Sequence, residues 1–420
     1  MTGFQGVLVA PFIFCGLACA GRARPEAPVS PALATGIARA DSLIAASIGK
    51  LTPGAVLVVS QNGRDVHSRA FGYEQLRDYE GRPIPDPPTM TVATVFDMAS
   101  VTKVMATTMA MMMLVDRGRI ELDAPVHRYL PDFRGPHLDS ITVRQLLQHA
   151  SGLVQWQPLY YHASNSAQTY DVIRGMPLGW GVGEARHYSD LGFMLLGFIV
   201  ERVSGQRLDQ FLEGNLYGPL GLRSTAFNPR QHGLTRFAAT EQGNVYERHM
   251  VYDSNFGYRY LGDPTAWNGW RQRVLIGEVD DGNSYYANGG VAGHAGLFST
   301  AGDVDVLLEL LLNRGSYNGR QYIGRETVDT FLTLDKYRNY LGWQAASYLP
   351  PGSFWHNGFT GTYVAGVPKY NLAIVLLTNR QNMGTDERGY FPDVAPLQQG
   401  VARAIVAGAA TAASSPPDKQ

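Results

Sequence analysis

Strand-like segments occur near the two ends of this chain and hardly at all between them, and this spacing limits the available folds more than any other feature. Ala55-Val56-Leu57-Val58-Val59 leads through Gln61-Asn62-Gly63-Arg64 into a second alternating stretch that ends at Phe71. An Asn-Gly pair between apolar alternations is the strongest short-range hairpin signal. Three more strand-like runs follow only at Ser353 to His356, Thr362 to Val367 and Leu372 to Thr378. From Ser100 to about Leu220 the apolar residues recur at helical spacing instead, and a Tyr/Trp/Gly-rich irregular stretch runs from Gln242 to Tyr286. A sheet must therefore gather its strands from both ends around an inserted helical lobe. The expected class is α+β: an antiparallel β-sheet flanked by helices with an inserted all-α lobe, and an active site in the cleft between them.

Helical patterns begin the fold at Pro31 to Leu51, before the breaker Thr52-Pro53-Gly54, and close it at about Val394 to Ala407. Another precedes the late strands at Val304 to Asn313. The expected catalytic domain is 31–407, with its α/β part at 31–97 and 287–407, a helical and irregular insert at 98–286, and a polar, Pro-containing disordered tail at 408–420. Leu191 to Val200 is the longest later apolar run; fenced by Asp190 and Glu201, it reads as a buried helix and not as a membrane span.

Composition removes several classes. Apolar residues make up 45% and charged residues 17%, which excludes a largely disordered chain. Thirty-five basic against 36 acidic side chains, with no run of Lys or Arg, leave nothing to neutralise a phosphate backbone, so no nucleic-acid partner is expected. Both cysteines, Cys15 and Cys19, precede residue 21, which excludes a thiol nucleophile, a disulfide or a cysteine metal site in the rest of the chain. Val7 to Ala20 is too short an apolar run for a bilayer but suits a signal peptide over 1–20, with Ala18-Cys19-Ala20 as a small-x-small cleavage site. Export to the periplasm or outside is expected, with a lipid anchor at Cys19 as the alternative end state. The absence of Lys and Arg from 1–6 counts against both.

Only five lysines exist, and two complete a Ser-x-x-Lys: Ser47 with Lys50, and Ser100 with Lys103. Ser47 ends a helical pattern, where Lys50 is a cation at a helix C-terminus, and that copy reads as structural. Ser100 opens an apolar helix, which sets its hydroxyl near the positive end of the dipole with Lys103 on the same face. A lysine kept neutral by burial or by a second cation can take the serine proton. The methionines at 105, 109 and 111–113 read as core filling, and Asp280-Asp281-Gly282-Asn283 as an ordinary turn, since the remaining spacing of a calcium loop is missing. No serine is flanked as Gly-x-Ser-x-Gly and no His-Glu-x-x-His occurs, so an α/β-hydrolase and a metallohydrolase are disfavoured; neither metal nor cofactor is expected.

The segment Phe96 to Lys103 resembles the nucleophile motif of the serine β-lactamase and penicillin-binding superfamily. Tyr188-Ser189-Asp190 resembles the Tyr-x-Asn element of its class C branch, with Asp190 in place of Asn. His356-Asn357-Gly358 resembles the branch's Lys-Thr-Gly, with His356 at the Lys position. Leu146 to Leu153 and Gly289 to Thr300 are similar to two further elements, so the resemblance spans about 31–407.

What the resemblance implies is acyl-enzyme chemistry. Ser100 would be the acylated nucleophile, Lys103 its proton partner and Tyr188 the general base or acid, with the backbone N-H groups of Ser100 and Phe359 as oxyanion hole. Asp190, Gly358 and Thr360 would support them. His356 would belong to the catalytic set, but a neutral imidazole lacks the permanent charge that a Lys offers a β-lactam carboxylate. The implied activity is therefore hydrolysis of small esters or of D-amino-acid amide and peptide bonds, including peptidoglycan-derived ones. Alternatives are a penicillin-binding or cell-wall-sensing protein without turnover, a genuine β-lactamase, and a binding-only module. Asp190 is expected either to hold Lys103 protonated or to orient it. His149 and His294 read as structural histidines bonded to backbone, and the aromatic stretch Tyr246 to Trp270 as a border of the cleft.

Overall fold

Asn62 and Gly63 both lie at positive φ, 53° and 72°, the backbone that a two-residue hairpin turn demands. They join strands β1 (Gly54–Gln61) and β2 (Arg64–Gly72) as the sequence predicts. This is a computed structural model, and it describes residues 29–414. The signal peptide expected over 1–20, with Cys15 and Cys19, and the final residues 415–420 lie outside the described residues. Strands β3 (Phe354–Asn357), β4 (Tyr363–Val367) and β5 (Leu372–Thr378) complete a five-stranded sheet in the order β2-β1-β5-β4-β3. Every pairing in it is antiparallel, and the first strand of the chain bonds directly to the last.

The period-two alternation decides which side chains face which layer. Ala55, Leu57 and Val59 of β1 join Ile374 and Leu376 of β5 on one face, against helices α1 (Pro31–Ser47) and, closing the chain, Ala395–Ser414. Val56 and Val58, with Val375 and Leu377, point the other way into the larger core, which continues through the helical lobe. That lobe holds α2 (Thr108–Asp116) and α3 (Asp190–Ser204), while α4 (Ala301–Leu312) covers the same face of the sheet. The closing helix Ala395–Ser414 is α5; it runs past the predicted Ala407, so 408–414 is ordered helix and not tail. Met105, Met109 and Met111–Met113 are all buried core side chains. Among the described residues no helix is long and apolar enough to cross a membrane.

The nucleophile segment sits at the seam between sheet and lobe. Residues 99–101 form a 3-10 turn, Lys103–Thr107 a π-helical stretch, and α2 continues from Thr108. Phe96–Asp97 pairs with Leu297–Ser299 in a small second sheet, which fixes the chain just before Ser100. Ser47 donates to the Ile44 carbonyl at 2.7 Å and lies at the end of α1, in the structural position expected of it.

Candidate active site

Ala99 occupies the left-handed region at φ 45°, a conformation that costs a residue with a Cβ on the order of 1–2 kcal/mol. The surroundings hold it there: Ala99 N-H donates to Asp97 Oδ1 at 2.8 Å, and Val101 N-H to the Met98 carbonyl at 2.9 Å. The kink turns Ser100 out of the helical axis toward a cavity of about 430 Å³, whose lining includes Ser100, Tyr188, Asp190, Asn357, Gly358 and Phe359. The cleft expected between sheet and lobe is this cavity.

Lys103 is fully buried beneath it. Its Nζ donates to Ser100 Oγ at 2.9 Å and to the His294 carbonyl at 3.0 Å, and it forms an ion pair with Asp190 Oδ1 at 2.7 Å. Burial alone pushes an ammonium toward neutrality, but the Asp190 carboxylate and the Tyr188 oxygen outweigh it and hold Lys103 above its usual range. The lysine is thus an ammonium and not the neutral base that burial alone would make. Tyr188 lies within hydrogen-bond reach of both Ser100 and Lys103, yet burial raises its phenol more than the ammonium lowers it, so the tyrosine keeps its proton. Asp190 opens α3, and Ser189 caps that helix by accepting from Gly192 N-H at 3.2 Å, which sets Tyr188 and Asp190 on adjoining sides of the helix start.

The histidines frame this core without entering it. His149 Nδ1 accepts from Ser189 N-H at 3.0 Å and its ring packs 4.4 Å from that of Tyr188, the backbone-bonded role expected. His294 differs from expectation: its side chain pairs with the Asp281 carboxylate at 2.8 Å, while its own carbonyl receives Lys103. His356 faces inward on β3, where buried and half-buried positions alternate, and its ring centroid is 6.1 Å from that of Tyr188. Burial, then the Lys103 charge, push it down to about 3, so the ring is neutral. The cavity is lined by its neighbour Asn357 and not by His356.

The loop after β3 is tied to the nucleophile turn. Thr360 Oγ1 donates to the Asp97 carbonyl at 2.8 Å and Thr362 Oγ1 to the Met98 carbonyl at 3.1 Å. A Cβ on Gly358 would stand 2.5 Å from the Met98 oxygen, so only glycine permits this approach. The two backbone segments that hold Ser100 and Phe359 are therefore fixed against each other, and both residues border the cavity.

Several cavity residues escaped the sequence reading. Asp280 and Asp281, read as a plain turn, form part of the wall, joined by Glu241 and, from the helix Val245–Tyr252, by Glu247. Asp97 stands behind them, its Oδ2 accepting from Asp280 N-H at 2.6 Å. The adjacent Asp280-Asp281 pair was the one available signal. From the expected aromatic border, Tyr246 and Tyr258 line the cavity, whereas Trp267 and Trp270 do not and pack with Tyr160 and Tyr286 in the same aromatic cluster behind it.

The chain is similar to known proteins over most of its length. A Bacillus subtilis (strain 168) protein named N-acetylmuramyl-L-alanine amidase is 35% identical over 372 residues, covering 82% of this chain and 81% of that protein. An Escherichia coli (strain K12) protein with the provisional name D-alanyl-D-alanine carboxypeptidase is 33% identical over 356 residues, covering 78% of each. The crystal structure of a penicillin-binding protein homologue from Caulobacter crescentus superposes with a TM-score of 0.64 at 19% identity, over 89% of this chain and 97% of that one, which speaks for the fold. The family profile described as Beta-lactamase matches residues 40–397, and the chain belongs to that family.

Proposed function

We propose that the chain is a serine hydrolase that forms an acyl-enzyme on Ser100 and cleaves small carboxylic esters or amide and peptide bonds of the D-amino-acid type. The observation behind this reading is the buried Lys103, placed 2.9 Å from Ser100 Oγ and 2.7 Å from Asp190 at the floor of the cavity. With Lys103 charged and Tyr188 protonated, Asp190 is the group positioned to receive a proton. As Ser100 attacks a carbonyl carbon, its proton passes to Lys103 Nζ while Lys103 passes one to Asp190 Oδ1; the serine gains a C-O bond and the carbonyl π pair moves to oxygen. The Ser100 and Phe359 backbone N-H groups meet that oxyanion. The Tyr188 phenol is the acid that protonates the leaving group, and the return of the Asp190 proton through Lys103 restores the network. Water then releases the acyl group by the same route.

The names of the relatives, an amidase and a carboxypeptidase, support amide substrates of cell-wall type, and an extracytoplasmic place of work fits both those names and the apolar run 7–20. Efficient β-lactam hydrolysis is disfavoured, because the neutral His356 lies behind the cavity wall. The test is a panel of p-nitrophenyl esters, D-alanyl peptides and a chromogenic cephalosporin on wild type and Ser100→Ala. Turnover of esters or peptides is expected, falling about a thousandfold or more in Ser100→Ala. Equal rates in the two proteins would sink the reading, and a stable Ser100 adduct without turnover would replace it with the sensor.

A further inference from the structure

A peptide cut by a carboxypeptidase carries its free carboxylate three covalent bonds beyond the attacked carbonyl carbon, a reach of about 4 Å. Such a group must enter the cavity beside Ser100, whatever the pose of the rest of the substrate. The cavity holds no cation to meet it. Among the described residues no Lys, Arg or His lines it, whereas Asp190, Glu241, Glu247, Asp280 and Asp281 do. Burial pushes Asp281 up, but His294, at 2.8 Å from its Oδ1, outweighs burial and keeps this carboxyl below its usual value.

The cations around the cavity are engaged elsewhere or stand outside it. Lys103 is buried beneath the floor and paired with Asp190. Arg271 donates to Asn244 Oδ1 and to the Val279 and Asp280 carbonyls, and Arg380 to the Phe359 and Pro392 carbonyls. His356, pushed down by burial, is neutral and lies behind the wall. Arg186 stands 5.8 Å from the centre of the Tyr188 ring and does not border the cavity. A carboxylate brought into this space would give up its water without gaining an ion pair.

What the wall offers instead is two primary amides. Gln344 and Asn357 both line the cavity, and among the described residues neither side chain makes a hydrogen bond. Their main chains are fixed: Gln344 and Trp355 exchange both N-H···O bonds at 3.0 Å, and Trp355 shares β3 with Asn357. An amide side chain presents donor and acceptor together, the complement of a peptide unit. A carboxylate uses only the donors and leaves the amide oxygens facing an anion.

We infer that Gln344 and Asn357 select for a neutral amide on the leaving-group side of the scissile bond, so that the chain cleaves internal or amide-capped peptides and not terminal residues with a free carboxylate. The inference rests on the hydrolase reading and narrows its substrate class.

N-Acetyl-D-alanyl-D-alanine and its C-terminal carboxamide, which differ in that one charge, are the probes, used with the full chain at neutral pH. The carboxamide is expected to be cleaved with a kcat/KM about tenfold or more above that of the acid. Gln344→Met and Asn357→Leu, which keep the size and remove the amide, should each lower the carboxamide's kcat/KM by about threefold to tenfold and the acid's by less. Either variant suffices if the other folds poorly. Faster cleavage of the acid would overturn the inference and point to Arg186 as the cation that meets it. Equal cleavage of the two peptides, or a contrast undiminished in both variants, would overturn it as well. If neither peptide is cleaved, calorimetric binding of the same pair decides: tighter binding of the carboxamide supports the selectivity, and equal or weaker binding overturns it. Loss of p-nitrophenyl ester turnover in addition is what would refute the hydrolase reading.

Discussion

At Lys103 one ammonium meets a nucleophile, a carboxylate and a backbone carbonyl, and the carboxylate decides its state. Asp190→Asn removes the closest anion, so the serine proton must go to a lysine that has first lost its own. Acylation of Ser100 at neutral pH is expected to slow by about 10²-fold or more and to recover as the pH is raised. Stopped-flow acylation across pH measures this, and an unchanged rate at neutrality would exclude Asp190 as the proton acceptor. Ser100, Lys103, Tyr188 and Asp190 were legible because each lies in a short motif whose spacing places it at a helix start. The protonation states were not: they follow from burial and from the 2.7 Å Lys103–Asp190 contact, which joins residues far apart in sequence. The wall of Glu241, Glu247 and Asp280 was illegible for a similar reason, since it joins separate segments, Glu247 from the short helix Val245–Tyr252 within the stretch read as irregular, and no local period tells which residues share a cavity.

Elements bring those residues together through a few specific joints. Thr360→Val keeps the shape and removes the hydroxyl that donates to the Asp97 carbonyl, and stability should fall by about 1–2 kcal/mol in urea unfolding. kcat should fall with it, because the loop holding Phe359 is no longer fastened to the turn holding Ser100. In the hairpin, Gly63 is at φ 72° and a Cβ there would meet nothing within 4 Å. Gly63→Val therefore tests the backbone alone, with an expected loss of about 1–2 kcal/mol, whereas Gly63→Asn should be tolerated. A loss several times larger would mean that the turn sets the register of the whole sheet. The hairpin and the late strands were readable to within a residue or two because alternation and Asn-Gly are local signals. The inward aim of His356 was not, since it depends on which face of β3 the lobe covers.

Across the whole molecule, buried titratable groups link stability to pH with opposite signs. Burial raises Asp97 to about 7, and burial with neighbouring acids raises Glu241, Glu247 and Asp280. The folded state holds these protons more tightly than the unfolded chain, so their stabilisation is full at low pH and is lost as pH rises toward and through the folded values. His149 and His356, lowered by burial, act in the reverse sense, but only below the ordinary histidine value near 6.5. Tm should therefore decline between about pH 6.5 and 8, with a slope of at most about 1.4 kcal/mol per pH unit for each carboxyl. Glu247→Gln, which removes the carboxyl raised to about 8, should flatten that decline; a Tm that rises over the window would contradict the assignment. The pairing of β1 with β5 has a further consequence, for synthesis on the ribosome. When the chain has emerged as far as residue 350, Ser100, Lys103, Tyr188 and Asp190 already exist, yet the β1–β2 hairpin has neither its inner neighbour nor the α5 cover for its apolar face. The nascent chain must hold the inner edge of β1 unpaired until residues 372–378 appear, so a factor that shields exposed β edges would act on this protein until that point of its translation.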